Sequence, residues 1–257
     1  MSAQQDISIS LVIPAWNEAE LLPRLLDSVD AARAQFEDAS RRIEVIVADN
    51  SSTDRTADVA RSRGCLVAPV TKRCIAAARN GGAAIASGEL LAFSDADFRI
   101  DPETFNYIAR VMRGPGFVGG GTGLVMERWS LGIRATLYIV LPPLWLLGLD
   151  GGVWFCRRSD FHAVGGYNED VKVGEDVRLL LALKRLGLQR RPRERLATRF
   201  TAHKLGLKPP YAINSARKFD KHGDWHMFRD AVRQLPSVLF RTQAADQYIE
   251  RYWYNDR

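Results

Sequence analysis

Two carboxylates with the spacing of a metal site lie in the first half of the chain. Asp95 and Asp97 are separated by one alanine and follow the apolar run at 90–93. Two carboxylates this close repel each other unless a cation lies nearby, and such oxygen ligands suit Mg²⁺ or Mn²⁺ bound together with substrate phosphates. The pair therefore predicts a divalent-cation site, although acidic residues at the end of a strand also serve ordinary turn chemistry.

Polar residues also follow two earlier apolar runs. Asn17 and Glu20 have the spacing of a helix N-cap pair, and capping alone would explain both. Asp49 follows the second run, where Ser52 or Thr53 can cap the next helix, so capping does not require Asp49. A carboxylate just past a strand of a parallel sheet commonly binds a nucleoside, which makes Asp49 a candidate nucleoside-binding residue.

The elements that must position these residues follow from the hydrophobic pattern. The first half of the chain alternates short β-branched runs with helical patterns, which is typical of a parallel sheet with crossover helices. Strands are predicted at 7–13, 43–48, 65–70 and 90–93, and helices at 19–36, 53–63, 75–86 and after Pro102. Ligands of such sheets bind beyond the carboxyl ends of the strands, where the polar residues lie.

The pattern is less regular after residue 113. Strands are predicted at 117–125 and 153–157, a turn at Gly165-Gly166 and a helix at 175–186. The apolar stretch 131–149 contains Arg134 and Pro142-Pro143, which would break a membrane-spanning helix, and it is short for crossing a bilayer. We expect a buried core helix there. The alternative is an acceptor-side surface that touches a lipid or a membrane.

These features belong to one ordered set of motifs. The set comprises Ile13-Pro14-x-x-Asn17-Glu18, Val47-x-Asp49-x-x-Ser52-Thr53-Asp54-x-Thr56, Ala78-Arg79-Asn80-x-Gly82 with Ser87-Gly88-Glu89, Asp95-x-Asp97, Gly165-Gly166-Tyr167-Asn168-Glu169 and Gly174-Glu175-Asp176. Their order and spacing strongly resemble family 2 glycosyltransferases of the GT-A fold, over about residues 7 to 190. The resemblance implies an α/β fold with a Rossmann-like, mostly parallel sheet flanked by helices in a single domain.

The resemblance also implies an activity and its cofactor. An enzyme of this family moves a sugar from a nucleotide-diphosphate sugar to an acceptor hydroxyl or phosphate, with inversion at the anomeric carbon. Mn²⁺ or Mg²⁺ would neutralise the departing diphosphate while a base removes the proton of the acceptor.

Carried over residue by residue, the resemblance assigns roles within the site. It makes Asp97 a metal ligand and Asp176 the catalytic base. It assigns nucleotide binding to Pro14, Ala15, Glu18, Asp49, Arg79 and Asp95. A further metal ligand often comes from a histidine after the base, which makes His203 the candidate. The assignments of Asp176 and His203 both have alternatives. Acids are favoured in the first turn of any helix, and a lone histidine is often structural.

A basic stretch near the C-terminus is a candidate lid. Arg217 and Lys218 could cover the diphosphate, although a solvated helix face would explain the same charges. We assign a GT-A domain to 1–200, with a nucleotide-binding half at about 1–100 and an acceptor half at about 101–200, and a C-terminal extension to 201–257.

Composition limits the class of protein. The 257 residues suit one domain, and 46% hydrophobic with 26% charged residues argues against disorder. The three cysteines lack paired or metal-type spacing, and the N-terminus lacks the pattern of a secretory signal. We expect a cytoplasmic protein, with contact at the inner face of the membrane as a further option because the net charge is +6.

Two other functions stay open from the sequence. A sugar-nucleotide nucleotidyltransferase would use a related sheet and a metal, but it expects a glycine-rich loop after the first strand, and 14–18 contains no glycine. A basic protein that binds anionic partners is supported by Arg251-Tyr252-Trp253-Tyr254, but no nucleic-acid motif appears, so we expect no nucleic-acid partner. The acceptor, lipid-linked or saccharide, would be selected by the variable segment 114–152.

Overall fold

The computed structural model describes residues 9–38, 42–171, 174–204, 206–208 and 210–229. Within these ranges the chain forms ten strands and nine helices. In chain order they are β1 (Ile9–Ala15), α1 (Leu22–Ala34), β2 (Ile43–Asp49), α2 (Thr56–Ser62), β3 (Leu66–Pro69), α3 (Ile75–Ile85), β4 (Leu90–Phe93), β5 (Phe98–Arg99), α4 (Thr104–Arg113), β6 (Phe117–Gly121), β7 (Leu124–Met126), α5 (Leu131–Leu146), β8 (Trp154–Arg157), α6 (Arg158–Ala163), α7 (Glu175–Gln189), β9 (Arg195–Ala197), α8 (Arg199–Lys204), β10 (Ala212–Asn214) and α9 (Arg217–His222).

A seven-stranded sheet forms the centre of the fold, in the order β3-β2-β1-β4-β8-β6-β9. The β1 strand runs parallel to both neighbours, with Ile9 opposite Ile43 on β2 and Leu90 on β4. The β2–β3 and β6–β9 pairs are also parallel, whereas β8 is antiparallel to β4 and β6. The predicted α/β fold with a mostly parallel sheet is confirmed. The carboxyl ends of β1, β2 and β4 therefore meet at one edge.

Side chains on successive strand positions enter opposite cores, as the period of two in a strand requires. Leu11 and Ile13 of β1 pack with α1, α2 and α4, whereas Val12 packs with α3, α6 and α7. Helices therefore cover both faces of the sheet. The α3 helix lies unusually close to β1, because a Cβ on Gly82 would be only 2.4 Å from Cγ1 of Val12.

A second sheet of three strands, β5-β10-β7, lies beside the first. Its middle strand, β10, comes from the segment that the sequence assigned to the C-terminal extension, and it is antiparallel to β5 and parallel to β7. Just after β10, the backbone N–H of Ser215 donates to the carbonyl of Asp97 at 3.3 Å. Part of the extension is thus tied to the acidic loop that follows β4.

The single strand predicted at 117–125 is two strands that belong to different sheets. Gly123 has a φ of +132°, which favours glycine, and it turns the chain between β6 and β7. The hydroxyl of Thr122 accepts a hydrogen bond from the N–H of Val153 at 3.1 Å at the same turn. Hydrophobicity alone did not reveal this change of sheet, because both halves are equally apolar.

The expectation of a buried core helix at 131–149 is wrong in one respect. The α5 helix buries one side, including Ile133, but exposes Leu131, Tyr138 and Leu146. It also continues through Pro142-Pro143, which the sequence predicted would interrupt it. A proline lacks the N–H that would donate to the carbonyl four residues back. For Pro142 and Pro143 these carbonyls belong to Tyr138 and Ile139, which are both exposed, so water can replace the missing donor.

Two sequence features lie outside the described residues. These are the first two residues of the strand predicted at 7–13 and the aromatic-basic stretch at 251–254. Among the helices that the structure describes, none combines the length and the apolar character that a membrane crossing requires.

Candidate active site

A cavity of about 280 Å³ opens at the edge where β1, β2 and β4 end. Such a crevice is where ligands bind in sheets of this topology. Its walls come from the strand ends, α3, the start of α7 and the segment after β10. The lining residues are Pro14, Ala15, Trp16, Glu18, Asn50, Arg73, Ile75, Ala78, Arg79, Asp95, Ala96, Asp97, Gly174, Glu175, Asp176, Asn214, Ser215, Lys218, Phe219 and Met227.

The loops after β1 and β2 are held together by side-chain hydrogen bonds. Asn17 has a φ of +54°, and its Oδ1 accepts the N–H of Thr53 at 2.8 Å. The N–H of Asn17 donates to the Ser52 hydroxyl at 3.1 Å, and that of Glu18 to the Thr56 hydroxyl at 2.8 Å. These bonds fix the rim of the cavity.

The capping explanation for these polar residues is wrong. The α1 helix starts after Leu21 and α2 after Arg55, and neither of these two residues makes a side-chain capping bond. Asn17 therefore links two loops across 36 residues of chain instead of starting the helix beside it.

Asp49 lies near the cavity but is not among its lining residues. Its Oδ1 accepts the N–H of Ser52 at 3.2 Å. The next residue, Asn50, does line the cavity. The amide of Asn50 donates to the carbonyls of Val70 and Lys72 and accepts from the N–H of Cys74, which fixes the loop before α3. The nucleoside-binding role of Asp49 stays a prediction.

Arg79 is the centre of the charge network in the cavity floor. Its side chain is only 2% exposed. One guanidinium nitrogen donates to Asp176 at 2.6 Å and to Glu175 at 2.9 Å, and the other donates to Asp95 at 2.7 Å. The ring of Tyr167 lies 5.1 Å from the guanidinium carbon and adds a cation–π contact. Arg79 thus links the end of β4 to the start of α7.

The position of Asp176 follows from the turn before α7. Gly174 ends that turn with a φ of +79°, a conformation that favours glycine, and α7 begins at the next residue. The Asp176 side chain is largely buried, with 17% exposed at the cavity. Glu175, beside it, also lines the cavity but is more deeply buried.

Asp176 has a strongly shifted pKa. Burial is the largest influence and raises the pKa, the Arg79 cation opposes it, and the charges of Glu175 and Asp95 add to the rise, so that the pKa reaches about 7. The same network holds the pKa of Arg79 well above its usual range, even though burial alone would lower it. Asp176 is therefore suited to take up a proton near neutral pH, while Arg79 stays charged.

Asp97 faces the cavity on the side of the C-terminal segment. The guanidinium of Arg217 lies 3.9 Å from Asp97 Oδ2. Arg217 itself forms a two-bond ion pair with the buried Glu18, at 3.0 Å for each bond. Lys218, on the same helix, lines the cavity. The two candidate diphosphate contacts are thus both near the carboxylates after β1 and β4.

The structure does not bring His203 to this cavity. It lies exposed on α8 and is not among the lining residues. Within the described ranges, no group of three or more histidine, cysteine, aspartate or glutamate side chains is arranged to hold a metal ion.

Sequence reasoning missed several cavity residues. Arg73 stacks on Trp16, with 3.9 Å between the guanidinium carbon and the ring centroid, but no motif marks Arg73. Asn214 and Met227 come from the segment after residue 211. They reach the cavity only because β10 joins the small sheet, a long-range pairing without a local sequence signal. Asn50 could have been predicted from the sequence, because it directly follows Asp49 at the end of the same strand.

Comparisons with known proteins identify a family for this chain. The family model described as glycosyl transferase family 2 matches residues 10–158, which is more than half of the chain. A validoxylamine A glucosyltransferase from Streptomyces hygroscopicus subsp. jinggangensis (strain 5008) is 37% identical over 114 residues, covering 42% of this chain and 26% of the relative. An undecaprenyl-phosphate 4-deoxy-4-formamido-L-arabinose transferase from Serratia proteamaculans (strain 568) is 32% identical over 110 residues, covering 40% and 33%.

A solved structure shares the fold. The mannosyltransferase PcManGT from Pyrobaculum calidifontis, in complex with GDP-Man and Mn²⁺, superposes with a TM-score of 0.59 at 19% identity, covering 90% of this chain and 65% of that one. At this identity the likeness concerns the fold alone. The matched segments span about a quarter to a third of the two curated relatives.

Proposed function

Because the chain belongs to glycosyltransferase family 2, we propose that its cavity binds a nucleotide-diphosphate sugar and transfers the sugar to an acceptor hydroxyl or phosphate. Family membership favours glycosyl transfer over the nucleotidyltransferase and the non-catalytic basic protein. The observation that carries the proposal is the arrangement of Asp95, Asp97 and Asp176 around one cavity, with Arg79 joining two of them.

Asp176 is the proposed catalytic base. Its carboxylate takes the proton of the acceptor hydroxyl as the acceptor oxygen bonds to the anomeric carbon. The bond between that carbon and the diphosphate oxygen breaks, and the nucleoside diphosphate leaves with the electron pair. Attack from the face opposite the diphosphate inverts the anomeric centre. A pKa of about 7 suits this role, because a base is most effective when its pKa is near the working pH.

Asp97 is the proposed protein ligand of Mn²⁺ or Mg²⁺. The residues present fit such an ion, because Asp97 is a partly exposed carboxylate in the cavity and these cations commonly use one or two carboxylates plus substrate phosphates. When bound, the cation neutralises charge on the departing diphosphate. Asp95 would bind the ribose side of the donor, together with Pro14, Ala15, Glu18, Asp49 and Arg79.

Arg217 and Lys218 are the proposed diphosphate contacts. Arg217 would exchange part of its pairing with Glu18 for phosphate oxygens, because its guanidinium also lies 3.9 Å from Asp97, the proposed metal ligand. The acceptor is proposed to be lipid-linked or a saccharide. One relative is named for undecaprenyl phosphate, and another for validoxylamine A. A cytoplasmic location, including the inner face of the membrane, is part of the same proposal.

Donor binding tests the proposal directly. Calorimetry with UDP, GDP and dTDP, each with Mn²⁺ or with EDTA, should show one preferred nucleotide whose affinity depends on the cation. Asp97→Ala should abolish that dependence, whereas Asp58→Ala, an exposed aspartate on α2, should leave it unchanged. Equal affinity in Mn²⁺ and EDTA would contradict the metal site, and no binding of any nucleotide would contradict the donor site.

The same titration tests His203. If His203 completes the metal site, α8 must move toward Asp97, and His203→Ala should weaken the Mn²⁺ affinity without loss of melting temperature. An unchanged Mn²⁺ titration would leave His203 with a structural role.

A further inference from the structure

The outer side of α5 is an exposed apolar surface. Leu131 is 77% exposed, Tyr138 is 78% exposed and Leu146 is 89% exposed. These positions are separated by seven and eight residues, close to two helical turns, so they lie on one side of the helix. Ile139 and Trp145 are exposed beside them. We call these five residues the α5 face.

The opposite side of α5 is packed against the domain. Ile133 is fully buried and contacts Met126 and Phe219, and Leu137 and Met227 pack on the same cluster. A helix that is apolar all round is normally buried all round. Here only one side is covered within the described part of the chain, and a contiguous exposed apolar surface of this kind marks a site of interaction.

Basic side chains border the α5 face at two places, whereas the nearby Asp224, against Gly132, is paired with Arg128. Arg134 is exposed one turn from both Leu131 and Tyr138. Lys184 donates to the carbonyl of Leu147, just past the end of the helix, at 2.5 Å. The sequence has no acidic residue from 131 to 149, and the whole chain has a net charge of +6. These charges favour a partner that is apolar and presents negative charge at its border.

Aromatic residues extend the surface beyond α5. Trp145 packs edge-on against Phe200 of α8, with 6.3 Å between ring centroids, and Phe200 is exposed. The guanidinium of Arg199 lies 5.4 Å from the Trp145 ring. Tryptophan, tyrosine and basic side chains together are typical of helices that lie at the boundary between lipid headgroups and acyl chains.

We propose that the α5 face docks on an anionic lipid bilayer, with α5 lying in the plane of the interface. The helix has 16 residues. At 1.5 Å per residue it is about 24 Å long, which is shorter than the roughly 30 Å hydrocarbon core. Docking with the apolar side inward satisfies both the exposed apolar side chains and the bordering basic ones.

Docking would place the cavity next to the bilayer. Phe219 and Met227 line the cavity, and they also pack against the inner side of α5. If the proposed function holds, the acceptor is therefore a molecule carried in that bilayer, with its reactive hydroxyl or phosphate at the headgroup level. The docking surface itself does not depend on which donor the cavity binds.

Vesicle flotation tests this surface. Purified full-length protein is mixed at low salt with phosphatidylcholine vesicles, with or without phosphatidylglycerol. The wild type should float with the anionic vesicles, and less with neutral vesicles or at high salt. Tyr138→Asp/Leu146→Asp should reduce the bound fraction at least tenfold. Leu66→Asp/Ile85→Asp adds the same charges at exposed apolar positions on β3 and α3, and it should bind like the wild type.

Arg134→Gln should reduce the preference for anionic vesicles while keeping the residual binding to neutral ones. Melting temperatures of all variants check folding, and Tyr138→Ser/Leu146→Ser provides a milder change at the same positions. Absence of flotation by the wild type would overturn the proposal, as would equal loss in the Leu66/Ile85 control. Light scattering that shows a dimer broken by Tyr138→Asp/Leu146→Asp, without vesicle binding, would instead assign the face to a second copy and overturn it.

Nucleotide calorimetry on the same variants separates the two proposals. Tyr138→Asp/Leu146→Asp should bind the preferred nucleoside diphosphate as the wild type does. Loss of flotation with intact donor binding in this variant supports docking through the α5 face and leaves the proposed function unaffected. Flotation of the wild type without donor binding would contradict only the proposed function.

Discussion

Arg79 and Asp176 form a 2.6 Å ion pair in the floor of the cavity. Arg79 is held by α3 and Asp176 by the first turn of α7, and the second nitrogen of the same guanidinium reaches Asp95 at 2.7 Å. The proposed base and a proposed donor-binding carboxylate are therefore fixed to one another through one side chain. Movement of α7 would disturb both ends of the site together.

Removal of Arg79 should destabilise the protein strongly. Arg79→Gln leaves three carboxylates in a buried region without their cation, and loss of one partner of a buried pair costs about 3–5 kcal/mol. Urea unfolding at pH 8 measures the free energy. Arg24→Gln, which breaks an exposed pair with Glu127, should cost less than about 1 kcal/mol. Equal losses in the two variants would contradict the role of Arg79.

The pKa of Asp176 predicts an acid limb in the rate profile. Because the free enzyme must have Asp176 deprotonated to accept a proton, kcat/KM should rise about tenfold per pH unit below pH 7 and level off above it. Release of nucleoside diphosphate from the preferred sugar nucleotide, with water as acceptor, provides the assay. A profile that stays flat from about pH 5.5 to 8 would contradict a base with this pKa.

Arg217 should contribute more to diphosphate binding than to nucleoside binding. Arg217→Gln removes a cation that lies 3.9 Å from Asp97 Oδ2, and a charged hydrogen bond is worth about tenfold or more in affinity. Calorimetry should show a larger loss of affinity for the diphosphate than for the nucleoside, which Arg217 affects only through its ion pair with Glu18. Lys221→Gln, an exposed change on the same helix, is the control. Equal diphosphate affinity in wild type and Arg217→Gln would remove Arg217 from the site.

Local sequence patterns predicted much of the fold. β-branched runs and helical periods placed β1 to β4 and α1 to α4, because each is specified by its own side-chain period. The same patterns placed Asp95, Asp97 and Asp176 next to element ends, and the sheet topology brought those ends together. Family resemblance added the roles, which local chemistry left open.

Contacts between distant segments were not predictable in the same way. Glu18 and Arg217 are 199 residues apart, and nothing local to either residue specifies their pairing. The Asn17 side chain looked like a cap because the cap pattern is short and common, yet it bonds to a neighbouring loop. The exposed side of α5 resembled a core helix because an apolar sequence carries no information about which surface covers it.

The measurement that tests the account most directly is sugar transfer by Asp176→Asn. This change keeps the size of the side chain and its hydrogen bond from Arg79 but removes the basic oxygen. Glu175→Gln is the matched control, because it neutralises a neighbouring partner of the same arginine. Transfer rate, donor affinity and melting temperature should be measured on the same samples, with the preferred sugar nucleotide and water or an identified acceptor.

A base acts in the transition state, so its loss should leave donor affinity within a few-fold while turnover falls by roughly 10²- to 10⁴-fold. Glu175→Gln should keep most of the wild-type rate. If Asp176→Asn instead transfers sugar at nearly the wild-type rate, with only its melting temperature changed, then Asp176 is a structural carboxylate of the Arg79 network and the proposed mechanism is wrong.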